Sequence, residues 1–266
     1  MFPTLAIGSL QVPVYPLAWG LGIFVIGALS FHRLVQGGVP SQQASRAVLF
    51  TIWGGFLGAF LARVLLSLSQ SLALTGEANA HSGLSFVGAI LGGGAVGLLW
   101  ARRSPFPLLR GLDLGWVATP LGQAMGRIGC IAAGCCYGKL TTGPLAMYLP
   151  DVYGEWAWRY PTQLMALVAN LLIFFTLLAV ERYGRRRAAP GRTWPFDGFL
   201  FLLYVELYSL KRFGLEFLRA DAKPVWGPFT VTHFLCAAII VLAGGYLVIR
   251  RRQQSASPRA SEPVLP

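Results

Sequence analysis

Residues Gly122–Gly138 read G-Q-A-M-G-R-I-G-C-I-A-A-G-C-C-Y-G and lie between long apolar segments. The stretch combines glycines and cysteines with a single arginine, Arg127. Glycines let one backbone approach another backbone or a ligand closely. An arginine at membrane depth is costly unless it is paired, hydrated or used. Two interpretations follow: Arg127 holds a lipid phosphate through its planar fork of donors, or it bonds carbonyls or a carboxylate at a tight helix crossing.

The composition around this stretch is that of an integral membrane protein. Of the 266 residues, 55% are hydrophobic and only 12% are charged, and the mean hydropathy is +0.58. A soluble domain carries about twice that share of charge. The basic residues behind the net charge of +12 lie in short blocks between apolar runs. That distribution is typical of membrane topology signals and argues against a nucleic-acid partner.

Seven apolar segments have about the length that a bilayer core requires. They are residues 15–31, 47–72, 83–101, 112–130, 162–181, 196–211 and 228–249. The N-terminus lacks the basic region of a signal peptide, so we expect the first segment to stay in the mature protein. We predict an all-α integral membrane protein, with one transmembrane domain over residues 1–249 and a disordered basic tail over residues 250–266.

The basic residues also predict the orientation in the membrane. Most of the 22 lysines and arginines fall in the first, third and fifth connecting loops and in the C-terminal tail. The positive-inside rule then places the N-terminus outside and the C-terminus in the cytoplasm. The sixth loop is the exception, since its basic residues would lie on the outer side.

That sixth loop contains a spaced set of charges. On a helix, Arg212, Glu216 and Arg219 fall at i, i+4 and i+7 and therefore share one face. A carboxylate between two guanidiniums would hold both in place and leave donors free for an anion. The alternative is a solvated stripe that anchors the helix to lipid head groups. The neighbouring aromatic residues Phe213 and Phe217 indicate burial and favour the anion site.

Three other features are candidates for function. Arg63 lies too deep in the second segment for easy snorkelling, so we expect an internal partner. His81 could act as a general base, although a lone interfacial histidine is more often a surface polar group. Cys135 and Cys136 are either small packing residues or functional thiols activated by Arg127. Adjacent cysteines without a CxxC spacing are poor chelators of a single ion, so we expect no metal and no cofactor.

Residues 12–245 resemble the bacterial prolipoprotein diacylglyceryl transferases. The family's central Gly-Arg-x-Gly-Asn-Phe-x-Asn-x-Glu-x-x-Gly run is similar to residues 126–138, and its Arg-x3-Glu-x2-Arg pattern falls on Arg212, Glu216 and Arg219. The family also has seven spans with an external N-terminus. Further similar segments are Asp113 with Pro120-Leu121-Gly122-Gln123, Val14-Tyr15-Pro16-Leu17, Ala62-Arg63-Val64 and Tyr160-Pro161-Thr162-Gln163-Leu164.

The resemblance implies a reaction and its partners. A diacylglyceryl group would pass from phosphatidylglycerol to the lipobox cysteine of a prolipoprotein signal peptide, with release of glycerol phosphate. The site would face the outer side of the bacterial cytoplasmic (inner) membrane, in contact with membrane lipids. The catalytic candidates are Arg127, Arg212, Tyr15 and His81. The substrate-binding candidates are Arg63, Gly126, Gly129, Gly134, Gly138, Gln163, Glu216 and Arg219.

The chain departs from the family pattern at several positions. Cys130, Ala133 and Cys135 stand where the family has Asn, Asn and Glu, Val87 stands where it has His, and Met165-Ala166 replace Tyr-Glu. The missing histidine leaves His81, Tyr15 or no dedicated base for the thiol. Two alternatives therefore remain open. One is a divergent paralogue that transfers another lipid group or uses the Cys135 and Cys136 thiols covalently, and the other is a non-catalytic lipid-binding membrane protein.

Overall fold

The computed structural model describes residues 4–8, 10–72, 86–187 and 194–256, and these ranges are mostly helical. Their helices are α1 (Val14–Gln36), α2 (Ser41–Leu72), α3 (Phe86–Arg103), α4 (Leu108–Trp116), α5 (Thr119–Ala133), α6 (Thr162–Arg185), α7 (Phe199–Glu216) and α8 (Val231–Ala256). Two antiparallel hairpins complete the elements: β1 (Thr4–Ile7) with β2 (Leu10–Pro13), and β3 (Met147–Pro150) with β4 (Trp156–Arg159).

Four of the described helices are long and apolar enough to cross a membrane. They are Val14–Gln36, Ser41–Leu65, Thr162–Arg185 and Val231–Gln253. The expectation of a helical, multi-pass membrane protein is confirmed at this level. Seven spans and the orientation of the termini stay predictions.

The predicted fourth segment, residues 112–130, is not one continuous helix. It is divided between α4, which ends at Trp116, and α5, which begins at Thr119. Pro120 occupies the first turn of α5. A proline has no N–H for an intrahelical hydrogen bond and is tolerated mainly in the first turn, so it favours a new helix start over continuation of α4.

Two further features of the structure were not predicted from the sequence. The polar segment after α5 contains the β3–β4 hairpin, which the sequence analysis did not predict. Residues 250–256, assigned above to a disordered tail, continue α8 to Ala256. The remaining tail, residues 257–266, lies outside the described residues.

The chain forms two compact units, Met1–Phe24 with Trp116–Pro266, and Val25–Gly115. In the second of these units, α2 and α3 cross at glycines. A Cβ atom at Gly58 would lie 2.7 Å from the Cα atom of Gly92 and would also meet the carbonyl oxygen of Gly88. Such a crossing lets two helix backbones pack directly in lipid. The single domain over residues 1–249 stays a prediction.

In the other unit, the glycines of the signature pack α5 against the start of α1. A Cβ atom at Gly126 would lie 3.0 Å from Cε2 of Trp19, and one at Gly129 would lie 3.0 Å from the carbonyl oxygen of Tyr15. These distances leave little space for a side chain. The close backbone approach predicted from the glycines is therefore present.

Candidate active site

The segment that follows α5 is held by the first residues of α6. Gly134 ends α5 in the left-handed conformation, with φ of 65°. The side-chain amide of Gln163 donates to the carbonyl oxygen of Cys135 (3.1 Å), and the Thr162 hydroxyl donates to that of Cys136 (2.7 Å). Gln163, a substrate-binding candidate, thus has a structural contact to the loop. Its side chain fixes the backbone that carries two thiols.

Backbone pairing then brings the signature to the end of α7. Gly138 forms an antiparallel bridge with Arg219, and the Lys139 N–H donates to the Leu218 carbonyl oxygen at 2.8 Å. On the other side, the Tyr160 N–H donates to the carbonyl oxygen of Lys139 at 3.1 Å. A Cβ atom at Gly138 would collide with the carbonyl oxygen of Tyr160. Glycine is therefore needed at this position for three chain segments to meet.

The predicted carboxylate between two guanidiniums is present. Oε2 of Glu216 lies 3.0 Å from Nη2 of Arg212 and 4.0 Å from Nε of Arg219. The prediction that these three residues share one helical face is wrong, however, because α7 ends at Glu216 and Arg219 lies beyond the helix. Arg219 also donates from Nε to Oδ1 of Asp221 at 2.8 Å. The bridge to the signature, and not helical spacing, orients this arginine.

Two polar residues at the start of α8, Thr230 and His233, form hydrogen bonds on the side of Glu216 away from the arginines. The Thr230 hydroxyl donates to Oε1 of Glu216 (3.1 Å), and the Thr230 N–H donates to Nδ1 of His233 (3.0 Å). His233 is only 1% exposed and contacts the rings of Phe213 and Phe217. Thr230 and His233 were not predicted as site residues, because no spacing pattern in the sequence links them to α7.

The three arginines border a single cavity. Its lining residues are Arg127, Cys136, Thr162, Ala166, Lys211, Arg212, Leu215 and Arg219. Four of these side chains are basic, and the carboxylates of Glu216 and Asp221 pair with two of them, so the cluster keeps an excess of basic groups. Such an arrangement suits a phosphate or another anion, since the donors are already in place before the ligand arrives.

Lys211 is a member of this cavity that the sequence analysis did not single out. Its Nζ donates to Oδ1 of Asn170 at 2.6 Å and lies 4.1 Å from the centre of the Tyr208 ring. Asn170 is almost fully buried. An amide oxygen and an aromatic face both make favourable contacts with a lysine side chain. The only signal in the sequence that could have indicated Lys211 is its position directly after the apolar residues of α7.

Three thiols meet beside the cavity. The Sγ atoms of Cys130, Cys135 and Cys136 all lie within 4.8 Å of one another. Nη1 of Arg127 lies 3.9 Å from Sγ of Cys130. Hydrogen bonds with the two other thiols lower the pKa of Cys136, and the guanidiniums of Arg219 and Arg127 lower it further. The adjacent pair Cys135 and Cys136 did not indicate a group of three thiols, because Cys130 is five residues before Cys135 in the sequence.

The remaining site candidates are placed as follows. Tyr15 is about half exposed on α1, with its carbonyl oxygen against Gly129. Arg63 lies on α2, in the unit formed by Val25–Gly115. His81 lies outside the described residues, and so does the side chain of Val87.

Comparison with known proteins agrees with the resemblance noted above. The family model for prolipoprotein diacylglyceryl transferase matches residues 3–249. A relative from Clostridium perfringens, named phosphatidylglycerol–prolipoprotein diacylglyceryl transferase 2, is 29% identical over 244 residues, which cover 90% of this chain and 91% of the relative. Proteins named as the same transferase are 30% identical in Dehalococcoides mccartyi, over 94% of this chain and 93% of the relative, and in Thermus thermophilus, over 95% and 99%. Over nearly its whole length, this chain belongs to the prolipoprotein diacylglyceryl transferase family.

Proposed function

We propose that this chain transfers the diacylglyceryl group of phosphatidylglycerol to the lipobox cysteine thiol of prolipoprotein signal peptides. The site would face the outer side of the bacterial cytoplasmic membrane. The observation that carries the proposal is the set of four cations around one cavity: Arg127, Lys211, Arg212 and Arg219. Family membership supplies the donor and acceptor classes, because the relatives are named for both.

The reaction needs such a set of cations. The acceptor sulfur forms a bond to the diacylglyceryl carbon, and the bond from that carbon to the phosphate oxygen breaks. The electron pair leaves with glycerol phosphate, which therefore gains negative charge. Donors that are already oriented toward that charge stabilise the transition state more than the substrate.

The arginines would divide this work. Glu216 orients Arg212 through the 3.0 Å ion pair and lies beside Arg219. Among the described residues, Arg127 forms no ion pair with a carboxylate. Its side-chain hydrogen bond in this part of the chain is the 3.9 Å contact from Nη1 to Sγ of Cys130. Most of its donors are therefore available to a phosphate. Arg127 and Arg212 would bind the leaving group, with Arg219 and Lys211 in support.

Other sequence candidates would play secondary roles. Gly134 and Gly138 shape the loop beside the cavity, and Gln163 fixes it. Gly126 and Gly129 set the contact between α5 and α1. Tyr15 would position lipid from α1, and we propose Arg63 as a further lipid ligand. Cys136 lines the cavity, and the Sγ atom of Cys135 lies within 4.8 Å of that of Cys136. This arrangement supports a functional thiol over simple packing.

The topology is part of the same proposal. We propose seven spans in one transmembrane domain. In addition to the four helices named above, α3, α7 and the α4–α5 pair would each cross the membrane once. The N-terminus would lie outside and the C-terminus in the cytoplasm. A fluorescent reporter that matures only in the cytoplasm, fused after Pro266, is expected to fluoresce. A dark reporter in full-length, membrane-inserted protein would contradict this orientation.

The test of function uses purified protein, phosphatidylglycerol and a lipobox peptide. We expect a diacylglyceryl mass gain on the peptide cysteine with matching release of glycerol phosphate. Arg127→Ala should lower this turnover by roughly 100-fold or more, as for other donors to a developing oxyanion. Arg185→Ala is the matched control, because that side chain is 67% exposed on α6. Full turnover by Arg127→Ala would refute the phosphate role, and bound lipid without turnover in the wild type would refute transfer and leave lipid binding.

A further inference from the structure

The three thiols beside the cavity have no assigned role in the phosphate chemistry. Cys130 lies in the last turns of α5, and Cys135 and Cys136 lie in the loop that follows. Their Sγ atoms converge to within 4.8 Å of one another, and Cys130 is only 2% exposed. Among the described residues, no histidine and no carboxylate joins this group. Three soft ligand atoms therefore lie within reach of a single ion.

The loop is fixed in a conformation that aims the thiols inward. Cys136 has φ of 60°, a left-handed conformation that costs free energy for any residue with a Cβ atom. The carbonyl oxygens of Cys135 and Cys136 are held by Gln163 and Thr162. Both of these side chains are buried. The backbone is thus restrained at the two residues whose thiols face Cys130.

The surrounding charge suits an anionic metal–thiolate centre. Three thiolates on a divalent ion carry a net charge of −1. Nη1 of Arg127 lies 3.9 Å from Sγ of Cys130, and Arg219 borders the same cavity as Cys136. Guanidiniums at this distance offset such a charge in a buried site, where an uncompensated charge would be costly.

We propose that Cys130, Cys135 and Cys136 bind one thiophilic divalent ion of the zinc type, and that the lipobox thiol of the acceptor becomes its fourth ligand. Tetrahedral zinc with Zn–S bonds of about 2.3 Å places sulfurs about 3.8 Å apart, so the thiols need to close by about 1 Å at most. Three protein ligands with one open position is the arrangement of catalytic zinc sites. The second half of this proposal rests on the transferase function proposed above.

This site would solve the problem of the acceptor proton. Among the residues that the structure describes, those that line the cavity include no histidine, aspartate or glutamate. A thiol that coordinates zinc releases its proton to water and stays bound as a thiolate. Its sulfur then bonds to the diacylglyceryl carbon, the carbon–oxygen bond breaks, and the electron pair leaves with glycerol phosphate. The product is a neutral thioether, a weaker zinc ligand, which can depart.

Cobalt substitution tests the site directly. The purified full chain is reduced, stripped of metal without oxygen, and titrated with Co²⁺. We expect one equivalent to produce thiolate-to-cobalt charge transfer and tetrahedral ligand-field bands. A lipobox peptide should raise the charge-transfer intensity by about one third, and the same peptide with serine in place of cysteine should not. Cys136→Ser should remove about one third of the protein's signal, whereas the matched control Cys236→Ser, a buried cysteine of α8 outside the group, should keep all of it.

Each failure has a separate meaning. Absence of stoichiometric charge transfer in folded, reduced wild-type protein would overturn the metal site. A cobalt spectrum that does not change when the cysteine peptide is added would overturn the role of the lipobox thiol as fourth ligand. Equal turnover in zinc-loaded and zinc-free protein would overturn the zinc role and leave the transferase intact. A peptide-responsive metal site without glycerol phosphate release would support the site and refute the transferase function instead.

Discussion

Two buried ion pairs in the same compact unit differ in how their charges are balanced. In the β3–β4 hairpin, Oδ2 of Asp151 accepts from Arg159 at 2.9 Å, and Oδ1 accepts the N–H groups of Tyr153 (2.9 Å) and Glu155 (3.0 Å). One carboxylate meets one guanidinium, and both carboxylate oxygens have partners. This pair closes a turn, and its two charges balance one another.

The cavity cluster is unbalanced by comparison. Glu216 is close to two guanidiniums, and Arg127 and Lys211 border the same space. A buried excess of positive charge is costly unless an anion compensates it. The difference separates structural from functional arginines in this protein: the balanced pair stabilises the fold, whereas the unbalanced cluster is suited to an anionic ligand.

The largest expected effect is on the unbalanced side. Arg212→Ala should lower kcat/KM for glycerol phosphate release roughly 100- to 1,000-fold, since it removes a charged donor from the developing phosphate. The thermal unfolding midpoint should change little, because Glu216 keeps Arg219 and Thr230 as neighbours. If a loss of stability accounted for the whole loss of turnover, Arg212 would be a structural and not a functional arginine.

Glu216→Gln should have an intermediate effect. The amide keeps the shape of the side chain but no longer orients two guanidiniums by charge, so we expect kcat to fall about tenfold to 100-fold. The KM for phosphatidylglycerol should stay equal or fall, because the cavity becomes more positive. A raised KM with an unchanged kcat would show that Glu216 serves binding and not orientation.

On the balanced side, Asp151→Asn should affect stability and not chemistry. Loss of one partner leaves Arg159 buried without its carboxylate, which costs about 3 kcal/mol or more in comparable pairs. We therefore expect a lower unfolding midpoint, measured by thermal denaturation in detergent. Turnover per folded molecule should stay within about twofold, as expected for independent sites. A larger loss of turnover would place the hairpin in the catalytic machinery.

The smallest effect sharpens the comparison. The double variant Asp151→Arg, Arg159→Asp should recover part of the stability lost by either single change, with a coupling of about 1 kcal/mol. Recovery should be incomplete, because an aspartate at residue 159 cannot accept the N–H groups of Tyr153 and Glu155. A double-mutant cycle of unfolding midpoints measures this coupling, and a coupling of zero would mean that the pair is not an energetic unit.

Much of the site chemistry was visible in local spacing. The separation of Arg212, Glu216 and Arg219 predicted a shared carboxylate, and the glycines around Arg127 predicted a close helix contact. Both depend on neighbours within a few residues or on the absence of side chains. Lys211 was missed because its partners, Asn170 and Tyr208, become meaningful only when α6 and α7 lie together.

The sequence by itself determined that this protein is a helical membrane protein, because hydropathy and charge distribution are local properties on which membrane insertion depends. Its motifs, by resemblance, indicated the prolipoprotein diacylglyceryl transferase family. Only the tertiary structure decided where the charges and thiols meet. The antiparallel bridge from Gly138 to Arg219 joins residues 81 positions apart, and the turn after α5 brings Cys130 to Cys135 and Cys136. Such contacts depend on backbone pairing and turn conformation between distant segments, and no sequence period encodes them.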